Sequence, residues 1–252
     1  MKTKRKVEAA MASPVPGEGS GKESNRERGR RISPTPRTTL RRRADRGSYD
    51  RAVIDAILDE GLVCHVGFSE GGQAFVLPAS YARAGDRVLL HGSVESRMLN
   101  ALRAGAPACL TVTILDGVVL ARSAFRHSLN YRSVVILGKA EEVSEPGAKQ
   151  AALAAIVEHI VPGRTADVRM PSDAEVAATM VLSLRIEEAS AKVRRGPPVD
   201  LEEDRRLPCW AGEIPLSVVA GAPVPDAHVA AGTAVPGPVA NYRRGVAPAH
   251  CG

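Results

Sequence analysis

Apolar residues occur in short runs through the middle of the chain, and residues typical of turns separate these runs. The runs are rich in Val, Ile, Leu and Thr, which favours β-strands joined by tight turns. Turns are predicted at 70–72 and 84–86, and the Asp116-Gly117 dipeptide is typical of a two-residue hairpin. The predicted strands are 62–69, 73–83, 87–91, 108–115, 118–125, 131–143 and 181–193.

Helical spacing of apolar residues predicts four helices. Ser48 can cap the start of the first, and Gly61 can stop it. The second follows the strand 87–91 directly and covers 94–104, with Ser93 as its N-cap. The other two predicted helices are 146–160 and 173–179.

The order of these elements indicates a fold class. Closely spaced antiparallel strands with few helices favour a mainly β fold, a β-barrel with flanking helices, over a doubly wound sheet. We expect one folded domain over 47–220. The tail 221–252 is rich in Pro and is expected to be disordered, whereas 201–219 is anchored through apolar residues such as Trp210 and Ile214.

The N-terminal segment 1–46 differs from the rest in charge. It holds 14 Lys or Arg and five acidic residues, whereas the remainder of the chain has a net charge of −3. Few large apolar side chains accompany these charges, so a disordered basic arm is predicted. The arm is a solvated extension, the product of an upstream start, or a polyanion-binding segment. Nucleic acid is expected as a partner only through this arm.

Several functional classes lose support. The cysteines Cys64, Cys109, Cys209 and Cys251 are widely spaced, which indicates neither a zinc site nor a disulfide framework, and no metal is expected. No apolar run is long enough for a membrane span, and no secretion signal is recognisable, so a cytoplasmic location is expected. Walker, GxGxxG, GxSxG and HExxH motifs are missing from the sequence.

The most informative chemistry lies where the third predicted strand meets the second helix. The strand breaks at Gly92, and a helix entrance directs free backbone N–H groups at a bound anion. Ser93 and Ser96 add hydroxyl donors, and Arg97 adds a permanently charged guanidinium, so the segment predicts a phosphate site. The alternative is that Ser93 only caps the helix and Arg97 is a solvated charge.

This segment resembles the phosphate-binding loop of the pyridoxamine 5′-phosphate oxidase-like superfamily. The chain is most similar to the flavin-nucleotide-binding, nitroimidazole-resistance-type branch, over about 48–219. The matching stretches are 62–68, 75–78, 90–93, 121–125 and 130–134.

The resemblance implies an FMN-binding split barrel that works as a homodimer, with each flavin in a cleft between subunits. Ser96 and Arg97 would contact the phosphate, and Arg132 and Ser133 are weaker candidates for phosphate or ribityl contacts. The stretch 75–78 would lie along the isoalloxazine ring, unless it is an ordinary core strand. The implied cofactor-binding residues are Phe75, Val76, Leu77, Pro78, His91, Gly92, Ser93, Ser96, Arg97, Arg132, Ser133 and Trp210.

Two of these residues have further roles to test. His91 matches a histidine that lies beside the flavin in the nitroimidazole-resistance-type proteins, and an imidazole there could deliver a proton as a catalytic group. The alternative is a structural, hydrogen-bonding histidine. Trp210, the single tryptophan, would stack near a flavin of the partner subunit or serve as a dimer anchor.

The function implied is that of an FMN-dependent oxidoreductase acting on an unidentified small molecule. The chain lacks the Arg-rich C-terminal segment of true pyridoxamine phosphate oxidases, so that activity is not expected. The alternative is a module that binds or stores flavin without turnover, or that has exchanged it for deazaflavin or haem.

Overall fold

The structure, a computed structural model, describes residues 31–244. Its helices are α1 (Arg51–Glu60), α2 (Arg97–Arg103), α3 (Pro146–Ile160), α4 (Asp173–Ala178) and α5 (Gly237–Ala240). Its strands are β1 (Gly47–Ser48), β2 (Val63–Glu70), β3 (Gln73–Ala84), β4 (Arg87–Ser93), β5 (Ala108–Leu120), β6 (Ser128–Gly138), β7 (Ala140–Glu142), β8 (Thr179–Arg185), β9 (Glu188–Arg194) and β10 (Gly212–Pro215).

All ten strands belong to one antiparallel sheet. The strand order is β1-β9-β6-β5-β2-β3-β4-β8-β7, and β10 pairs with β5 outside this path. A sheet of this order with a few flanking helices is a split barrel, so the predicted mainly β fold is confirmed. None of the helices within residues 31–244 is long and apolar enough to cross a membrane.

The core lies inside the curled sheet. Along β2, Cys64, Val66 and Phe68 point inward and are buried, while the alternate residues point outward. Helices α1 and α2 close the interior with Ile54 and Leu99, both fully buried. A second apolar cluster forms where α3 packs on the outer surface of β3, β4 and β8.

The predicted hairpin at Asp116-Gly117 is wrong. Residues 108–120 form one strand, β5, which pairs with β6 on both sides of a bulge between Leu115 and Gly117. Asp116 is the extra residue of this bulge. Its carboxylate accepts hydrogen bonds from the guanidinium of Arg132. Gly117 lies against β10, where a Cβ atom would stand 3.0 Å from the carbonyl oxygen of Ile214.

The predicted starts of two helices were also wrong. Strand β4 continues to Ser93, which pairs with Thr179 of β8, so α2 begins only at Arg97. Helix α1 is capped by Asp50, whose carboxylate accepts a hydrogen bond of 2.9 Å from the Ala52 amide, whereas Ser48 lies in β1. The predicted strand 181–193 is two strands, β8 and β9, with a turn between them.

Part of the predicted arm packs on the barrel. Ile32 is buried in the core, and its amide donates a hydrogen bond of 2.8 Å to the carbonyl of Tyr49. Arg37 and Thr35 both bind the carboxylate of Glu188 in β9. The folded region therefore includes 31–46, because one apolar side chain and a few polar contacts attach a segment whose composition is otherwise that of an arm.

Two predictions fall partly beyond the described chain. Residues 1–30 of the arm and 245–252 of the tail lie outside the described residues. Within the tail, Arg244 donates a hydrogen bond of 2.6 Å to the carbonyl of Asp59 at the end of α1. The C-terminal segment is therefore tied back to the barrel near the start of β2.

Candidate functional site

The predicted phosphate site is the short connection between β4 and α2. Ser93 Oγ accepts a hydrogen bond of 3.1 Å from the Glu95 amide, and Ser96 Oγ accepts one of 3.4 Å from the Leu99 amide. Each hydroxyl oxygen acts as an acceptor, and a hydroxyl that accepts can still donate its own proton. Helix α2 has only seven residues, so its dipole adds less than a longer helix would and the guanidinium of Arg97 is the main cationic group.

Arg97 and Phe75, which the resemblance implies for one site, lie together. The guanidinium carbon stands 5.4 Å from the centre of the Phe75 ring, and that ring stacks on Phe68 with 5.4 Å between ring centres. Arg97 Nε also lies 3.8 Å from the carboxylate of Glu70, and its side chain is 64% exposed. This cation is accessible, is held over an aromatic face and can bind an added phosphate.

The stretch 75–78 of β3 lies beside this cation and has a free edge. Residues 73–80 pair with β2, but the ladder to β4 covers only Tyr81 to Ala84. Half of the main-chain N–H and C=O groups before Tyr81 therefore point away from β2, where no strand of the described chain pairs with them. Val76 is 65% exposed, so the alternative of an ordinary core strand does not hold for it.

His91 and Gly92 are adjacent on β4; the first has a buried imidazole, and the second packs closely against α2. The Nδ1 atom of His91 is buried without a hydrogen-bond partner among the described residues, and burial lowers the pKa of its imidazole. The ring is therefore neutral at pH 7. Gly92 packs closely on α2, because a Cβ atom there would stand 3.1 Å from the Leu99 side chain.

Arg132 and Ser133 do not join the Arg97 site. They lie on β6, which β5 and β2 separate from β3. The Arg132 side chain is 15% exposed, and its guanidinium binds the carboxylates of Asp116 and Glu60, which raise its pKa. The expected anionic partner of Arg132 is therefore a pair of protein carboxylates, and Ser133 Oγ donates to the carbonyl of Lys192 at 3.4 Å.

Trp210 lies just before β10 and is 69% exposed. Its ring covers Gly212, where a Cβ atom would stand 2.9 Å from the indole. Strand β10 pairs with β5, so the tryptophan is also remote from Arg97 within one chain. An exposed indole held by the backbone is suited to contact another molecule.

Sequence reasoning missed the outward-facing surface of three neighbouring strands, which we name the outer sheet face. It carries no charged side chain and a single histidine, His65, which is exposed. Alternation along β2 is the signal that places His65 opposite the buried Cys64 and Val66. The residues of the outer sheet face are Val63, His65 and Gly67 of β2, Val76 and Pro78 of β3, and Cys109, Thr111, Thr113 and Leu115 of β5.

One end of the outer sheet face opens into a cavity of about 300 Å³. Its walls are the end of α1, the start of β2, the edge of β5 at 113–116, and residues 216–218 of the C-terminal segment. Arg132 and Arg244 also line it. The residues described include no cluster of three His, Cys, Asp or Glu side chains that could hold a metal ion alone.

A split barrel with this site defines the class of protein, and comparison with known proteins gives its family. The sequence profile of the family described as Pyridoxamine 5′-phosphate oxidase matches residues 50–193, which is more than half of the chain. A search of the curated proteins finds no match. The chain belongs to the pyridoxamine 5′-phosphate oxidase family, which confirms the resemblance seen in the sequence.

Solved structures give more specific similarities. The flavocytochrome Anf3 from Azotobacter vinelandii is 41% identical, with a TM-score of 0.80, over 85% of this chain and 100% of that chain. An FAD- and haem-binding protein from Mycobacterium smegmatis is 40% identical, with a TM-score of 0.75, over 77% of this chain and 95% of that chain. A protein from Bacteroides thetaiotaomicron described as a 5-nitroimidazole antibiotic resistance protein shares the fold at 24% identity and a TM-score of 0.51, over 58% of this chain and 86% of that chain.

Proposed function

We propose that this chain is an oxidoreductase of the flavocytochrome type, which binds a flavin nucleotide and a haem and acts on a small molecule. The observation that carries the proposal is the similarity to the two relatives named for these cofactors, at 40% and 41% identity. The match covers all of the flavocytochrome chain, so every segment that builds its cofactor sites has a counterpart here.

The residues around Arg97 suit a flavin. A flavin nucleotide combines a planar ring, whose edge is rich in hydrogen-bonding groups, with a phosphate on a ribityl chain. The exposed guanidinium of Arg97 would hold the phosphate, assisted by Ser93 and Ser96. The free edge of β3 at 75–78 offers main-chain donors and acceptors to the polar edge of the ring.

The flavin, when bound, supplies the redox chemistry, and the protein positions it and controls protons around it. His91 is the proposed proton donor. Burial lowers the pKa of its imidazole, so the ring rests neutral and would first take up a proton on its free nitrogen before passing that proton to the substrate. This role predicts a change in the pH dependence of turnover when His91 is replaced by Gln.

The flavin itself has two candidate forms. FMN is the form implied by the family resemblance, whereas the relative from M. smegmatis is named for FAD. The proposed phosphate contact serves the phosphate on the ribityl chain, which both forms possess. Release of the cofactor by acid, followed by mass measurement, distinguishes the two.

We further propose a homodimer with the flavin in the cleft between subunits. Large apolar side chains outside the outer sheet face support it: Trp210 is 69% and Phe125 91% exposed. An apolar surface and a free strand edge on one molecule favour burial against a second copy. Light scattering after gel filtration tests the mass, and a monomer at micromolar concentration would count against this part of the proposal.

The central experiment is purification without added cofactors, followed by absorbance spectroscopy and mass analysis of what is released. We expect both a flavin band and an intense haem Soret band. Loss of the Arg97 charge in Arg97→Ala should weaken flavin binding by ~1.5–3 kcal/mol, about tenfold or more. Arg103→Ala, on the same helix and also exposed, is the matched control and should bind as the wild type. Equal affinity of the two variants would remove Arg97 from the site.

A second candidate is a module that binds flavin without turnover. It is favoured by the isolation of His91, whose Nδ1 atom has no partner in the described chain to relay a proton. Reduced nicotinamide with artificial electron acceptors separates the candidates. A flavin that stays oxidised with reduced nicotinamide before acceptor is added, and no oxidation of nicotinamide after it is added, would support the module over the enzyme.

A further inference from the structure

The outer sheet face has the features of a site for a flat, largely apolar ligand. Three neighbouring strands span ~10 Å, which is the width that a porphyrin needs. The surface presents Val63, Gly67, Val76 and Pro78 and contains no charged residue of its own, and His65 stands in the middle strand. An apolar surface with one metal-ligating group suits a haem better than a hydrophilic cofactor.

His65 is held rigidly and has no competing partner. Its strand pairs on both sides, with Pro78 of β3 and Thr111 of β5 directly opposite the histidine. Its imidazole makes no hydrogen bond to another described residue. An imidazole on a backbone fixed by two neighbouring strands, with both nitrogens free, is available to ligate iron.

The other described histidines are less suited to this role. The Nε2 atom of His159 lies 2.8 Å from the carbonyl of Gly61, and Nδ1 of His127 lies 3.1 Å from the carbonyl of Ser123. His228 lies on irregular backbone, which holds an imidazole less rigidly than a strand does. His91 lies on β4 at the proposed flavin site.

The cavity at the end of the outer sheet face contains Arg244 beside the Arg132 cluster, in which Glu60 and Asp116 offset the Arg132 charge. Arg244 lines it and donates only to neutral oxygens, among them the carbonyl of Asp59 and the hydroxyl of Tyr242. No carboxylate of the described chain neutralises this guanidinium. A ligand carboxylate would complete its interactions.

The aligned length of the flavocytochrome match includes part of the C-terminal segment that lines the cavity. The family profile ends at residue 193, and residues 1–193 are about three quarters of the 252 residues. Because the match covers 85% of this chain, it must include part of the segment after residue 193. That segment supplies residues 216–218 and Arg244 to the cavity, so one wall of the cavity lies beyond the family profile, in a segment of which the flavocytochrome shares a part.

We infer that His65 is the axial ligand of the proposed haem, that the porphyrin lies on the outer sheet face, and that Arg244 receives a propionate in the adjoining cavity. The inference rests on the haem part of the proposed function. It assigns a ligand and an anion contact to residues that the sequence reasoning left without a role.

The test uses full-length protein stripped of haem and titrated with ferric protoporphyrin IX, with flavin content measured in parallel. His65→Ala should lose the Soret position of the wild type and at least tenfold in haem affinity while keeping its flavin. His127→Ala, a histidine equally exposed to solvent, is the matched control and should titrate as the wild type. Imidazole added to the His65→Ala protein should restore the Soret position, a response that a merely structural histidine would not give.

Arg244→Gln should weaken haem binding without moving the Soret position. Arg243→Gln, the matched control, should bind haem as the wild type does. A wild-type Soret spectrum and affinity in His65→Ala would overturn the ligand assignment while the haem proposal stands. A wild-type protein that takes up no protoporphyrin would overturn both the assignment and the haem part of the proposed function. Loss of flavin together with haem in His65→Ala, without recovery by imidazole, would also overturn the assignment, because it would indicate damage to the fold.

Discussion

The ion cluster around Arg132 allows the sharpest prediction about stability. Its guanidinium donates to Asp116 at 2.7 and 2.9 Å and to both oxygens of Glu60, one of them at 2.8 Å. The three side chains are only 15%, 14% and 23% exposed. Replacing Arg132 by Met keeps most of the side-chain volume and leaves two largely buried carboxylates without their cation.

The expected cost follows from this burial. Removing one partner of a fully buried ion pair costs ~3–5 kcal/mol, because the remaining charge is left uncompensated. Some water reaches these carboxylates, so we expect Arg132→Met to lower the free energy of unfolding by ~2–4 kcal/mol. In a domain of this size that corresponds to a decrease in Tm of about 5–12 °C.

The control is an exposed pair of the same chemistry. Arg169 binds Glu175 through two hydrogen bonds of 2.8 Å, but the side chains are 70% and 51% exposed. Arg169→Met should therefore cost no more than ~1 kcal/mol. Urea denaturation of both variants, with flavin and haem content measured in each, gives the comparison.

A second variant tests the cause. Adding Glu60→Gln and Asp116→Asn to Arg132→Met removes the uncompensated charges and should recover a large part of the lost stability. If Arg132→Met is as stable as Arg169→Met, the cluster contributes little and the reasoning fails. If it keeps its stability but loses flavin, Arg132 is a cofactor ligand, as the sequence first indicated.

Three further predictions concern other parts of the molecule. Burial raises the pKa of the Cys64 thiol from 9.0 to about 12, so the unfolded chain loses this proton first as pH rises. The free energy of unfolding should therefore fall between pH 9 and 12 by up to ~1.4 kcal/mol per pH unit, and urea midpoints should show a smaller decrease in Cys64→Ala. Gly61→Ala should destabilise the fold by ~1–3 kcal/mol, because a Cβ there would lie 2.6 Å from the Val112 side chain; Gly237→Ala, with nothing within 4 Å, should not change the Tm. Fluorescence of the single tryptophan, Trp210, should shift to the blue as dilute protein associates, and a constant emission maximum would place it outside the interface.

Local signals predicted β2, β3 and β4 to within one or two residues. Their inward positions alternate with outward ones, and the turns between them contain glycines that adopt positive φ, such as Gly71 at 57° and Gly85 at 58°. These features act over a few residues, so the sequence contains them in readable form. The placement of Arg97 and Phe75 in one site came from the family resemblance and not from a local signal.

Long-range partners account for what the sequence did not show. Asp116-Gly117 has the composition of a hairpin, but pairing with β6 and β10 on either side keeps it within one strand. Arg132 needs an anion, as expected for a buried strand arginine, yet its partners come from 16 and 72 residues away. Only the assembled barrel shows that the protein provides both.

The free edge of β3 connects the candidate site to the proposed assembly. Strand β4 pairs with β3 only from Tyr81 to Ala84. The main chain of β3 at 75–78 therefore has one unpaired edge beside Arg97. Open main-chain groups next to exposed apolar side chains form a surface on which another molecule can bind. A flavin can satisfy the polar groups, and a second subunit can cover the apolar ones, so the two proposals explain different parts of one surface. Loss of flavin should therefore weaken the dimer, and Arg97→Ala should dissociate at higher protein concentration than Arg103→Ala when measured by analytical ultracentrifugation.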